Sequence, residues 1–202
     1  MTRAFTAARG PGVHVEQLAG KDATRTRFVG LAERARWLHV STHGRYRETG
    51  NTERRGAARG PAAAMLEPIA RTPLAPSIDA RLALAGANES QEGELSADEL
   101  GLLDLSRCEV AVVAACDSAR GALAPGQGAA SFQSALHGAG ARWAVTSLWP
   151  VDDAAAQELF AAFYANLWKG ATPPDEALWR AKAELRARRA PLVEWAGWIV
   201  SR

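Results

Sequence analysis

The chain of 202 residues is 48% hydrophobic and 23% charged. These are ordinary proportions for a soluble globular protein, with length enough for one domain, or one and a small appendage, to bury a real core. Its 24 basic and 22 acidic residues leave a formal charge of +2, which gives no electrostatic ground for nucleic acid as the main partner. No apolar run approaches the roughly 18 to 20 residues of a membrane span, and Met1-Thr2-Arg3 is not followed by a signal-peptide core. The expectation is a cytoplasmic protein without a membrane partner, its Cys108 and Cys116 kept reduced.

Val13-His14-Val15 reads as a short strand, and Asp22 opens a helix whose Phe28, Leu31, Ala32 and Ala35 share one face. A strand over 36 to 42 follows and empties at His43. From Arg45 to about Asp79 the pattern collapses into Gly, Ala, Pro and Arg without a period, the mark of a functional or flexible insertion. Leu82-Ala83-Leu84 resumes as a strand, and Ser96 with Glu99 forms a capping box before a short helix.

Strand 110 to 115 delivers Cys116. The Gly- and Pro-rich stretch Gly121 to Gly128 leads into a helix carrying Phe132, Ala135, Leu136 and Ala139, with Gly140 placed to stop it. Strand Trp143 to Leu148 precedes a long helix capped by Asp152 or Asp153, with Leu159, Phe160, Phe163 and Leu167 inward and Gly170 at its end. Thr172-Pro173 starts another helix, whose Arg186 to Arg189 form a solvated end, and Trp195 to Val200 closes the chain as a strand. Strands alternating with helices predict an α/β fold built on a doubly wound, mostly parallel sheet flanked by helices, with no internal repeat.

His43-Gly44 and Cys116 each follow a short apolar run, so each sits where a strand meets a loop, the edge at which open parallel sheets bind ligands. A thiol titrates near 8.5, so a neighbouring imidazole is needed to raise its thiolate fraction and then to manage the proton. Gly44 has no side chain to hinder a substrate, and its backbone N–H, with that of Cys116, is placed to hold an oxyanion. On spacing alone a second reading stays open: a hydrogen-bonded histidine at a strand end and a cysteine filling apolar space. Cys108, between Arg107 and Glu109, reads as a half-buried structural thiol. His39 shares a strand face with His43 but stands about 13 Å from it, too far for joint metal binding. His14 and His137 lack partners at zinc-site spacing, so neither metal nor cofactor is expected.

Five segments occur in a telling order: Leu38-His39-Val40-Ser41-Thr42-His43-Gly44; Leu84-Ala85-Gly86-Ala87-Asn88; Leu95-Ser96-Ala97-Asp98-Glu99; Val113-Ala114-Ala115-Cys116-Asp117-Ser118-Ala119-Arg120-Gly121; and Thr146-Ser147-Leu148-Trp149-Pro150-Val151-Asp152. In that order they resemble the CHAT-type cysteine peptidases, relatives of caspases and separase, over roughly residues 18 to 200. The resemblance implies a caspase-like sheet and a His43/Cys116 dyad that cleaves a protein or peptide substrate. It further implies that the strand around Ser147, Leu148 and Trp149 lines the substrate groove by strand addition, with Trp149 either walling a pocket or packing in the core. Ala114 offers no charge for an acidic residue of the caspase kind. Asp152 and Asp153 occupy the place where the separase-like segment meets a substrate arginine; Asp153 is the better match, and helix capping is the alternative for both. Cleavage after Arg or Lys, with a buried carboxylate meeting the cation, is the expectation.

Such domains carry more sheet before Val13, so the chain reads as short at its N-terminus, and a regulatory domain or activating partner is expected to lie elsewhere. The Arg-rich stretch offers Arg54, Arg55 and Arg59 as self-processing sites, or else is a passive surface insertion. Two other classes compete with the peptidase: a catalytically silent caspase-like module that binds a peptide or partner, and a non-peptidase hydrolase or acyl-transfer enzyme on the same nucleophile.

Overall fold

Six consecutive small apolar residues, Val110-Ala111-Val112-Val113-Ala114-Ala115, are all buried, and this is the pattern of a strand covered on both faces. The computed structural model describes residues 14–49, 77–117, 127–169 and 172–202, of which 46–49, 77–79, 116–117, 127–130 and 169 are described by backbone alone. Its strands are β1 (Trp37–Thr49), β2 (Ser77–Ala83), β3 (Glu94–Ser96), β4 (Val110–Asp117), β5 (Ala144–Ser147) and β6 (Trp198–Ser201). Its helices are α1 (Arg25–Ala32), α2 (Ala97–Gly101), α3 (Gln127–Gly138), α4 (Asp153–Lys169), α5 (Pro174–Ala187) and the single turn α6 (Leu192–Trp195).

The six strands form one sheet in the order β3-β2-β1-β4-β5-β6. The three central strands are parallel, while β2, β3 and β6 join by antiparallel pairings, so the sheet of this α/β fold is mixed. Chain connections explain the departure from an all-parallel order. The β2–β3 connection is a run of turns ending in the short 3₁₀ helix Gln91–Gly93, with no α-helix to carry the chain back, so the pair is antiparallel. Between β5 and β6 the chain runs down α4 and back up α5, and β6 is left to run against β5.

The alternation of β4 divides the core. Ala111, Val113 and Ala115 pack with Phe28 and Ala32 of α1, Leu100 of α2 and Phe132 and Leu136 of α3. Val110, Val112 and Ala114 pack with Leu159, Phe160 and Phe163 of α4, Leu178 of α5 and Trp198 of β6. Burying each large side chain is worth roughly 1.5–3 kcal/mol, so these two layers hold the sheet between its helices.

Several elements differ from the sequence expectation for local reasons. His14 and Val15 are outside any strand, and Val13 falls beyond the described residues. Asp22 closes a 3₁₀ turn instead of opening the first helix, which starts after Thr24, whose side chain accepts from Arg27 N–H. β1 does not stop at 42 but continues to Thr49, and β2 begins at Ser77, so the ends of the 45–79 segment are sheet, while 50–76 lie outside the described residues. Trp195 ends α6, and the last strand begins at Trp198. The capping box forms as expected, with Ser96 Oγ accepting from Glu99 N–H and the Glu99 carboxylate accepting from Ser96 N–H. Gly140 ends α3 at φ +100, and a Cβ there would stand 3.2 Å from the Ser106 backbone.

His39, on the α4 side of β1, lies edge-on to Phe160 at 4.8 Å, and its Nδ1 is 2.8 Å from the Tyr164 hydroxyl. Its Nε2 is sealed from solvent without a partner among the described residues. Burial lowers its pKa to about 4. The unfolded chain therefore takes up a proton that the folded chain refuses, so the stabilisation is complete above the unfolded value near 6.5 and is lost as pH falls towards 4. Urea unfolding should show a loss of about 2 kcal/mol between pH 7 and pH 5 that is absent from His39→Gln; equal slopes in the two proteins would refute this origin of the acid sensitivity.

Candidate active site

The parallel ladder between β1 and β4 runs without a break from Trp37↔Val110 to Gly44↔Asp117 and sets His43 directly across from Cys116. Neighbouring strands are about 4.8 Å apart, so the two residues are as close as adjacent strands permit. By alternation both positions fall on the sheet face that carries His39 and Ala114. His43 is exposed, whereas His39, four residues earlier on that face, is covered by α4.

Gly44 is the residue at which β1 changes partners. It is the last to pair with β4 and the first to pair with β2, through Gly44↔Leu82. It is buried, and the hydroxyl of the preceding Thr42 bonds the carbonyl of Ala83 on β2. His43 therefore lies inside a long strand and not in the loop that the sequence suggested, at the level where β4 ends.

Cys108 is not half-buried but wholly enclosed, 2% exposed among Leu105, Ala139 and Ala141. Burial pushes its thiol up to about 11, which keeps it protonated and inert at neutral pH. His137 bonds the Ala141 carbonyl and the Ser201 hydroxyl, and His14 pairs with Glu16 on the surface.

The residues expected to hold substrate have mixed fates. The β4–β5 ladder ends at Val113↔Thr146, and β4 extends four residues beyond it. On its other side β5 is not free to accept a strand: β6 pairs along it as far as Ser147↔Trp198, and Leu148 N–H donates to Gly197. Ala114 is 8% exposed and belongs to the α4-side core, because its methyl is closed in by that layer. The Ser147 hydroxyl donates to the Trp149 carbonyl. Trp149 is half-exposed, its indole N–H donating to the Val193 carbonyl of α6 at 2.7 Å and its ring lying flat on Gly197. Asp152 is the helix cap, its Oδ1 accepting from Ala154 and Ala155 N–H, while Asp153 is the exposed first residue of α4 and not a buried carboxylate. Arg54, Arg55 and Arg59 lie outside the described residues.

The profile of the CHAT domain matches residues 4–202. The chain belongs to the CHAT domain family. CHAT domains are caspase-like and related to proteases, and in this member the paired central strands carry the His-Gly and Cys segments in register. No curated protein matches the chain. No helix among the described residues of this CHAT domain is long and apolar enough to cross a membrane.

One cluster near the site was not foreseen from the sequence. Glu94, buried on β3, meets Arg45 at 2.6 Å and Arg81 at 3.7 Å, and Arg45 also reaches Asn88. The only trace in the sequence is an arginine directly after His43-Gly44, in a stretch without periodicity.

The placement of Trp149 depends on Gly197, where a Cβ would fall 2.5 to 2.9 Å from the indole ring. Gly197→Ala should displace Trp149, lower stability by about 1–3 kcal/mol and raise the exposure of its fluorescence to a soluble quencher. A variant with wild-type unfolding and quenching would show that the ring does not rest there.

Proposed function

We propose that this CHAT domain is a cysteine endopeptidase in which Cys116 is the nucleophile and His43 its base. The observation that carries the reading is the register His43↔Cys116 on two parallel strands at the level where β4 ends. The His43 imidazole takes the thiol proton, the thiolate adds to the scissile carbonyl, and His43 returns the proton to the departing amine. Water, deprotonated by His43, then releases the acyl group from sulfur and restores the thiol.

The peptide lies along the end of β4 beyond its last pair with β5, beside Ser147, Leu148 and Trp149, since β6 occupies the far edge of β5. Asp152 is committed to the α4 cap, which leaves Asp153 as the carboxylate to face a basic side chain. The substrate is accordingly cleaved after Arg or Lys.

Cys116→Ala should reduce cleavage of a peptide library, followed by mass spectrometry, to background, and His43→Ala should lower kcat/KM by about 10²–10⁴ with unchanged thermal unfolding. Cys108→Ala should remain active. Turnover by Cys116→Ala would refute the nucleophile, and peptides retained by the wild type without cleavage would assign a binding module instead.

Asp153→Ala should erase a preference for Arg over matched Leu peptides. An Arg preference that survives the substitution would place the specificity elsewhere.

A further inference from the structure

The β1–β4 ladder that sets His43 across from Cys116 begins at its other end with Trp37↔Val110. Trp37 precedes His43 by six residues of extended chain, or about 20 Å. At this far end lies a cleft of about 480 Å³ whose lining includes Trp37, Trp143, Trp168, Glu109, Arg142 and Arg202. Small-molecule sites occupy about 300–1,000 Å³. The topology explains why these residues meet. β6 runs against β5, and the pair Ala144↔Ser201 brings Arg202 level with Trp143. Arg142 is anchored beside them, its backbone N–H donating to the Cys108 carbonyl at 2.9 Å, and α4 supplies Trp168 from its last turn.

The aromatic walls are held in place by their own packing. Trp37 and Trp168 meet edge to face at 5.9 Å and 77°, and Tyr164 stacks on Trp168 at 4.5 Å with 11° between the ring planes. Rings fixed in this way lose little freedom when a ligand arrives. Three indoles by themselves would suit a cation. The charged groups decide otherwise. Glu109, the one carboxylate lining the cleft among the described residues, is taken by Arg36 at 2.6 Å. Arg142 and Arg202 are both exposed and form no ion pair among the described residues. The Arg202 guanidinium lies 5.4 Å from the centre of the Trp143 ring, a cation–π position that steadies it and leaves its N–H donors for a further partner. A guanidinium presents those donors as a flat fork, which matches the oxygens of a phosphate or carboxylate.

We propose that this cleft binds a small ligand in which an aromatic ring carries an anionic group, the chemistry of a nucleotide. The ring lies against the indoles, as bases do on aromatic side chains, and the anion meets Arg142 and Arg202. The site is about 20 Å of strand away from His43, so it stands whether or not the chain cleaves peptides.

Isothermal titration calorimetry of the full chain provides the test, with AMP, UMP and indole-3-acetate as ring anions and with adenosine and inorganic phosphate as the separate halves. At least one ring anion should bind, and adenosine and inorganic phosphate should each bind at least about tenfold more weakly, because each keeps only one of the two contacts. Tighter binding of the nucleoside monophosphates marks a phosphate as the natural anion, and tighter binding of indole-3-acetate marks a carboxylate. Arg142→Gln and Arg202→Gln should each weaken the ring anion by about 10–100-fold, the range of one charge-assisted hydrogen bond. Both side chains are exposed, so thermal unfolding should be unchanged, and Arg142→Lys, keeping the charge, should retain part of the affinity. Cys116→Ala should bind as the wild type does. The absence of binding by all three ring anions, inorganic phosphate or adenosine binding as tightly as AMP, or an affinity unmoved by both arginine substitutions would overturn the proposal.

Discussion

The β1–β4 ladder is the constraint on which the rest of this CHAT domain depends. It is parallel and unbroken over the eight pairs from Trp37↔Val110 to Gly44↔Asp117, and β4 within it is buried on both faces. A slip by one residue would move Val110, Val112 and Ala114 into the opposite layer, where α1, α2 and α3 are shaped for Ala111, Val113 and Ala115. The same slip would set His43 against a residue of the wrong parity. Hydrophobic burial on two sides thus fixes the register that sets His43 across from Cys116.

Around that ladder the polar groups act as local locks. The Ser96–Glu99 capping box joins β3 to α2, and Arg25 of α1 ties into it by its contact with the Glu99 carboxylate at 2.7 Å. Hydrogen bonding from the Ser96 backbone, first among the causes, holds Glu99 below the usual carboxylate range, so it stays ionised and available to Arg25 at neutral pH. Thr42 performs a similar service at the handover from β4 to β2. These contacts are individually modest and are concentrated on the β2–β3 side of the sheet.

How much of this was legible in the chain follows from the type of signal each element carries. Val112-Val113-Ala114-Ala115 is apolar without interruption because both faces are covered, and such a run cannot be mistaken for surface. The Ser96–Glu99 box is written in single residues at fixed offsets and so was readable, whereas the α4 cap was read only as far as Asp152 or Asp153, and the structure gives it to Asp152. The second half of β1 was not. Arg45-Tyr46-Arg47-Glu48-Thr49 has no apolar period of its own and becomes a strand only because β2 pairs with it, a tertiary cause that local pattern cannot reveal. β3 is three residues long, too short for any period to register. The antiparallel direction of β6 requires counting the passes of α4 and α5, and its occupation of the β5 edge follows from that count alone. Of the candidate site, the identities of His43, Gly44 and Cys116 were visible, whereas the Arg45–Glu94–Arg81 cluster joins residues from three strands and was not.

The position of β6 has a consequence for how the molecule is made. Trp149 emerges from the ribosome about fifty residues before Gly197, against which its ring rests, and the carbonyl of Val193 that receives its indole proton comes equally late. Until the 192–201 segment is synthesised, β5 is an open edge and the tryptophan has no backing, although β1 and β4 are already complete. Such long-range closure is slow compared with local helix formation, so β1 and β4 assemble first and the Trp149–Gly197 contact last. Nascent chains consequently pass through a stage in which β1 and β4 are paired beside an unfinished β5 edge, and segment 192–201 is the piece that covers it.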